Sequence, residues 1–287
     1  MIGVLFPGQG AQFKGMGAEE FARHPELVEQ ANEILGYSIE ELCTNDPDGK
    51  LGQTQYTQVA LYVVNALQYL TWHADGNRAD YLAGHSVGEY DALFAAGAFD
   101  FSTGLELVKR RGELMSSVGG GGMAAVMSLS EDQVRNVLTK NGLEAVDVAN
   151  LNTPQQTVIS GRREDIDAAE EHFTQEGAWY VKLNVSGPFH SRYMSDAAKE
   201  FGEYITQYSF KPLQVPVISN LKARPYSDEE IAQTLIDQIC SPVKWSESVR
   251  YMMGKGVETF TQVGPGRVAK DMANQITRLA EPLVVGD

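Results

Sequence analysis

The stretch Gly84-His85-Ser86-Val87-Gly88 constrains this chain more than any other. It follows a short apolar run, Tyr81-Leu82-Ala83, and precedes residues 89–96, which read as a helix. The serine therefore sits at a strand-to-helix turn. Such a bend is too sharp for side chains at the flanking positions, and glycines relieve the crowding. The hydroxyl is then exposed, and the first amides of the next helix can face a developing oxyanion. This is how an enzyme presents an acyl-accepting nucleophile. A chain of this length meets Gly-x-Ser-x-Gly by chance about once in ten. An idle serine in a glycine-rich turn is thus the alternative, and the strand-before, helix-after placement argues against it.

The rest of the chain alternates in the same way. Residues 2–6 form an opening strand that runs into Pro7-Gly8-Gln9-Gly10, and Val59, Tyr62, Val63, Ala66 and Leu70 recur at helical spacing. Gly119-Gly120-Gly121-Gly122 then reads as a hinge. After it come a strand at 123–127, a helix at 131–140, strands at 145–149 and 156–160, a helix at 164–175 and a strand at 179–185. That β-α-β-β-α-β order is a ferredoxin-like unit. Beyond it α/β alternation returns: a helix near 191–207, a strand at 215–219, helices near 228–239 and 246–253, a strand at 259–263 and a helix from Arg267. The expected fold is an α/β-hydrolase-like catalytic domain, residues 1–122 and 189–287, carrying an inserted ferredoxin-like subdomain at 123–188.

A nucleophilic serine needs a base, and histidine is the usual one. Of five histidines, His24, His73 and His172 lie in polar, loop-like or charged-helix settings and read as surface residues. His85 neighbours the serine, but adjacent side chains on an extended segment point apart, so packing is its expected role. His190 follows the turn Ser186-Gly187-Pro188-Phe189, where the small unit rejoins the large one. A cleft between domains suits a base, although spacing alone leaves its role open.

Arg111 stands out on a helix. Its i±3 and i±4 neighbours Leu107, Val108, Leu114 and Met115 are all apolar, so it projects from the buried face. A buried guanidinium is costly unless paired. An internal Asp or Glu partner is the ordinary explanation; a fork for a substrate carboxylate is the functional one.

The formal charge of −15 argues against nucleic acid, whose binding needs cations for phosphates. No apolar run approaches the roughly 20 residues of a membrane-spanning helix, and the N-terminus reads as a strand begun at once, not a signal peptide. Cys43 and Cys240 form neither a metal cluster nor a disulfide framework, so free thiols in a reducing cytoplasm are expected.

With these residues in hand, the chain resembles the malonyl-CoA:acyl-carrier-protein transacylases and the acyltransferase domains of polyketide synthases. The likeness runs through Phe6-Pro7-Gly8-Gln9-Gly10-Ala11-Gln12, Gly84-His85-Ser86-Val87-Gly88-Glu89, Arg111-Gly112, Asn152-Thr153-Pro154, Phe189-His190 and Val263-Gly264-Pro265-Gly266. Together, in this order, these motifs are highly specific. The resemblance implies Ser86 as nucleophile and His190 as its general base and acid. It implies an oxyanion hole from the backbone amides of Gln9 and Val87, and Arg111 as the ligand of the malonyl carboxylate. The family orients its histidine with a main-chain carbonyl, here that of Gln238. Gln58 matches a glutamine lining the pocket, with plain helix packing as the alternative; Asn152 either lines the cleft or forms a turn.

The implied reaction is ping-pong, from malonyl-CoA to the phosphopantetheine thiol of an acyl carrier protein, with no permanently bound cofactor and no metal. Phe189 replaces the serine usual in primary metabolism. It resembles the phenylalanine of malonyl-selective polyketide acyltransferases, where a ring crowds the acyl α-carbon. Gly-Pro-Phe-His-Ser-Arg-Tyr-Met is especially similar to free-standing acyltransferases that load polyketide synthases in trans, and a chain bounded by this domain fits them, an excised piece being the alternative. A monomer is expected. Carrier proteins are acidic, so Lys182, Arg192, Arg267 and Lys270 are candidates for a basic rim, against a simply solvated role. The rivals are a fatty-acid-synthesis malonyl transacylase, an editing hydrolase (whose kind generally lacks the arginine) and a non-catalytic docking module.

Overall fold

A computed structural model of the chain describes residues 1–284. Its first sheet is parallel, with strand order β7-β2-β1-β8: β1 is Ile2–Phe6, β2 Tyr81–Gly84, β7 Val217–Ile218 and β8 Thr259–Gln262. Val4, Leu5 and Phe6 of β1 are fully buried, as befits a strand covered by helices on both faces. The Thr54–Ala74 helix is buried around most of its circumference and lies against the Phe101–Ser117 helix. A helix apolar all round belongs inside, which explains why the periodic signal there is so dense.

The second sheet is antiparallel, with order β4-β5-β3-β6: β3 is Gly121–Met127, β4 Asp147–Thr153, β5 Gln156–Arg162 and β6 Trp179–Lys182. The helices Glu131–Lys140 and Arg163–Gln175 accompany it, giving the ferredoxin-like arrangement. Strand alternation divides its residues between two faces. Ala124, Val126, Val148 and Ile159 pack into a small core with those helices, whereas Met123, Ala125 and Val158 face a cleft.

Several expected boundaries shift. Gly121 and Gly122 are not hinge but strand, paired with Arg162 and Gly161, so β3 starts two residues before position 123. Only Gly120 takes the left-handed conformation expected of a flexible turn, at φ 74°. β6 stops at Lys182; the Leu183 amide still donates to the Met123 carbonyl at 2.9 Å, and beyond it the chain leaves the sheet edge. β7 is two residues long, paired with Leu82 and Ala83; Pro216, which has no amide hydrogen, precedes it and the polar Ser219-Asn220 follows. Asn152 and Thr153 end β4 where a turn was the alternative.

Among the described residues no helix is long and apolar enough to cross a membrane.

Candidate active site

The site gathers at the C-terminal ends of the parallel strands, where ligands bind in open α/β sheets. Pro7-Gly8-Gln9 follows β1, Ser86 follows β2 and Asn220 follows β7. Ser86 is held at φ 52°, a left-handed conformation that costs a non-glycine residue on the order of 1–3 kcal/mol. The flanking glycines are obligatory. A Cβ on Gly84 would lie 1.9 Å from the main chain of Gly88, and one on Gly88 would lie 2.5 Å from the Phe6 carbonyl. Asn220 braces the bend: its Oδ1 accepts from Ser86 N at 2.7 Å and its Nδ2 donates to the Gly84 carbonyl at 2.6 Å.

His190 Nε2 lies 2.7 Å from Ser86 Oγ, and its Nδ1 lies 3.0 Å from the Gln238 carbonyl. A carbonyl only accepts, so Nδ1 carries the proton and Nε2 is left to accept the serine's. The imidazole is buried. Burial, and after it the Arg111 charge, push its pKa down from 6.5 to about 3, so the resting ring is neutral.

Arg111 is 1% exposed, on the Phe101–Ser117 helix. Its Nη1 donates to Gln58 Oε1 at 2.6 Å, and its Nη2 donates to Gln238 Oε1 at 2.8 Å and to Ser86 Oγ at 3.2 Å. The guanidinium also lies over the Tyr90 ring, 5.7 Å from its centroid. All three acceptors are uncharged oxygens, and Arg111 forms no ion pair among the described residues. The internal Asp or Glu partner that burial would ordinarily demand is missing. A full positive charge stands beside the nucleophile without a direct counter-charge.

The cleft between the two sheets holds about 420 Å³ and is lined by Gln9, Gln58, Ser86, Val87, Arg111, Phe189 and His190, among others. The backbone amides of Gln9 and Val87 donate no hydrogen bond among the described residues, so both are available to an oxyanion. Phe189 is 5% exposed and forms part of the wall. Gln58 lines the cleft and also donates to Met115 Sδ at 3.6 Å. His85, expected as packing, meets Trp245 edge-to-face at 5.3 Å and lies 2.8 Å from Asn152 Oδ1, tying the elbow to β4. Of the sequence-derived site residues, all but Gln238 line one cleft, and Gln238 is joined to it through Arg111 and His190.

A family model described as acyl transferase domain matches residues 4–281. The chain belongs to this acyl transferase family. It is 51% identical over 286 residues to the polyketide biosynthesis malonyl CoA-acyl carrier protein transacylase PksC of Bacillus subtilis (strain 168), covering 99% of each chain. It is equally 51% identical to the polyketide biosynthesis protein PksE of the same organism, but covers only 37% of that longer protein. The crystal structure of malonyl CoA-acyl carrier protein transacylase from Burkholderia pseudomallei is similar to it with a TM-score of 0.95 at 45% identity, covering 98% of this chain and 99% of that one.

Three further residues of this acyltransferase's site carry no role in the sequence reading. The buried Glu89 and Asn220 and the half-buried Tyr226 form a hydrogen-bonded polar group beside the elbow. Asn220 had a signal: Ser219-Asn220 ends an apolar strand, a position where polar residues face ligands in α/β sheets. Glu89 had one too: its i+3 and i+4 neighbours Ala92 and Leu93 are apolar, which places its carboxylate on the buried face of the helix.

The basic-rim candidates divide. Lys182 lies between Asp167 (2.8 Å) and Glu170 (2.9 Å), and Arg192 is paired with Asp147. Arg267 reaches Asp271 only at 3.8 Å.

Proposed function

We propose that this acyltransferase moves malonyl from malonyl-CoA, through an ester on Ser86, to the phosphopantetheine thiol of an acyl carrier protein. The service is to a polyketide synthase in trans, as a monomer in the cytoplasm, without a permanently bound cofactor. The observation that carries the reading is Arg111: a buried, unpaired cation 3.2 Å from the nucleophile invites a substrate with its own carboxylate.

Each half-reaction follows from the geometry. As Ser86 Oγ attacks the thioester carbonyl, its proton passes to His190 Nε2. The carbonyl oxygen takes the electron pair and is met by the Gln9 and Val87 amides. The tetrahedral adduct collapses, the C–S bond breaks, and His190 returns the proton to the departing coenzyme A sulfur. The carrier thiol then repeats the sequence on the ester, giving up its proton to His190, and Ser86 recovers its own. Gln238 holds the imidazole through its carbonyl. The imidazolium that forms in each half-reaction is disfavoured by burial and by Arg111. A malonyl carboxylate on Arg111 cancels that second effect, so the correct acyl group assists its own transfer. Phe189 in the wall crowds any substituent on the acyl α-carbon, which favours malonyl over methylmalonyl.

Intact-mass measurement after exposure to a mixture of malonyl-, methylmalonyl- and acetyl-CoA tests the proposal. Wild type should carry malonyl alone and Ser86→Ala nothing; a wild type left unmodified refutes the ester. Relative rates onto carrier proteins of polyketide and fatty-acid synthases test the pathway, and a faster rate onto the latter would reassign it.

A further inference from the structure

A carboxylate that takes no part in the proton transfers lies beneath the nucleophile. Glu89 belongs to the first turn of the Gly88–Ala95 helix and is fully buried. Its Oε1 accepts from the Asn220 amide at 2.9 Å and from the Tyr226 hydroxyl at 2.6 Å; its Oε2 accepts from Gln238 Nε2 at 2.5 Å. Two of these donors have second partners in the active site. The Asn220 side chain spans the elbow between Ser86 N and the Gly84 carbonyl. Gln238 does more. Its Nε2 also donates to the Ser86 carbonyl at 2.9 Å, its Oε1 accepts from Arg111, and its main-chain oxygen orients His190.

We propose that Glu89 is the positioning residue for acyl selectivity: it fixes the Gln238 amide the right way round to hold the Arg111 fork, without touching substrate. The inference rests on reading Arg111 as the ligand of the substrate carboxylate.

A primary amide has one donating end and one accepting end. Glu89 meets three donors, so Gln238 must offer it Nε2, and Oε1 is thereby turned to Arg111. Reversing the amide would set its NH₂ against the guanidinium and its oxygen against both the carboxylate and the Ser86 carbonyl, three mismatches in a buried site. The carboxylate cannot swing away, because Tyr226 and the Asn220 amide hold its other oxygen. Burial pushes the Glu89 carboxyl up to about 7, and the Tyr226, Gln238 and Asn220 donors and the Arg111 charge oppose that rise. The site therefore keeps a costly group, which a mere filler of space would not require.

Glu89→Gln tests this with almost no change of shape. The two donors at Oε1 retain the new amide's oxygen there, so its NH₂ meets Gln238 Nε2 and the Gln238 amide turns over. The malonyl-CoA kcat/KM should fall about tenfold or more, chiefly through KM, while acetyl-CoA loading changes less than about threefold. Tyr226→Phe is the structural control: it removes one donor but leaves Gln238 anchored, so Tm falls and the malonyl-to-acetyl ratio stays. Glu89→Gln combined with Gln238→Glu restores the match at position 89 and at Arg111, at the cost of the bond to the Ser86 carbonyl, and sets a carboxylate on Arg111. Tm should then recover relative to Glu89→Gln, and malonyl preference should vanish. If Glu89→Gln does not fold, the double variant carries the test, and a folded double variant that still prefers malonyl overturns the inference. So does a Glu89→Gln enzyme with the wild-type ratio, or a Tyr226→Phe enzyme whose ratio falls as far. A wild type without malonyl preference overturns the reading of Arg111 itself, and this inference with it.

Discussion

Arg111→Ala separates the two effects assigned to this residue. In the wild type a malonyl carboxylate would exchange for neutral acceptors on the fork, and each charged hydrogen bond contributes about 1.5–3 kcal/mol. Removing the guanidinium also leaves that carboxylate buried and unpaired, and breaking a buried ion pair costs about 3–5 kcal/mol. The corresponding loss in malonyl-CoA kcat/KM is roughly two to three and a half powers of ten. Acetyl-CoA has no carboxylate to strand. For it the substitution removes the charge that, after burial, holds His190 at low basicity, together with the hydrogen bonds to Ser86, Gln58 and Gln238. Acetyl loading should therefore hold steady or rise, and the enzyme should invert its preference. Single-turnover measurement of acyl-enzyme from each thioester, by rapid quench and intact mass, reads both rates. If the two fall together, Arg111 is supporting the fold around Gln58, Gln238 and Ser86 rather than selecting the acyl group. If malonyl loading survives, the fork is not its ligand.

The pH dependence of stability offers a second test, because two buried groups pull in opposite directions. His190, facing Arg111, His85 and the Gln238 carbonyl, has its pKa lowered from 6.5 to about 3. The unfolded chain binds the extra proton across that window, so its contribution to stability is present above 6.5 and is lost as pH falls. Glu89, facing Tyr226, Gln238, the Asn220 amide and Arg111, is raised from 4.5 to about 7, so its contribution is lost as pH rises through that window. Between about pH 4.5 and 6.5, relative to wild type, Tm should decline with rising pH in His190→Ala and increase with rising pH in Glu89→Gln. Parallel curves for all three proteins would refute the assignment. Phe189→Ala should raise methylmalonyl-CoA loading relative to malonyl-CoA by about tenfold, the scale of one or two methylene-sized contacts, measured by competition; an unchanged ratio would clear Phe189 of a steric role.

The elbow was legible because steric necessity writes itself into sequence: only glycine fits where a Cβ would lie 1.9 Å from main-chain atoms. Arg111 was legible for a different reason. Its apolar helix neighbours place it inside, and a buried guanidinium always demands explanation. What periodicity could not supply was the partner, and the structure answers with amide oxygens where a carboxylate was the ordinary expectation. The role of Gln238 came from resemblance alone, since a main-chain carbonyl leaves no mark on residue type. The strands at 179–185 and 215–219 were read too long for a related reason. Residue type does not report where ladder pairing stops: β2 runs on to Gly84, whose carbonyl accepts from the Asn220 side chain instead of from β7.

The placement of Glu89 explains how Arg111 can be both held and available. A carboxylate in direct contact would hold the guanidinium, but it would also neutralise it, and a substrate carboxylate would have to displace a charged competitor. Coulomb attraction falls inversely with distance, whereas an amide relays orientation through two directed hydrogen bonds. Interposing Gln238 therefore separates the two requirements: Glu89 sets the amide, the amide sets the fork, and the fork keeps most of its field for the acyl group. The same glutamine turns its main-chain oxygen to His190. A displacement at Gln238 must then reach the base and the carboxylate fork at once. For that reason selectivity and proton transfer in this enzyme should fail together when the main chain at position 238 is displaced, and separately when its side-chain amide or Arg111 alone is changed.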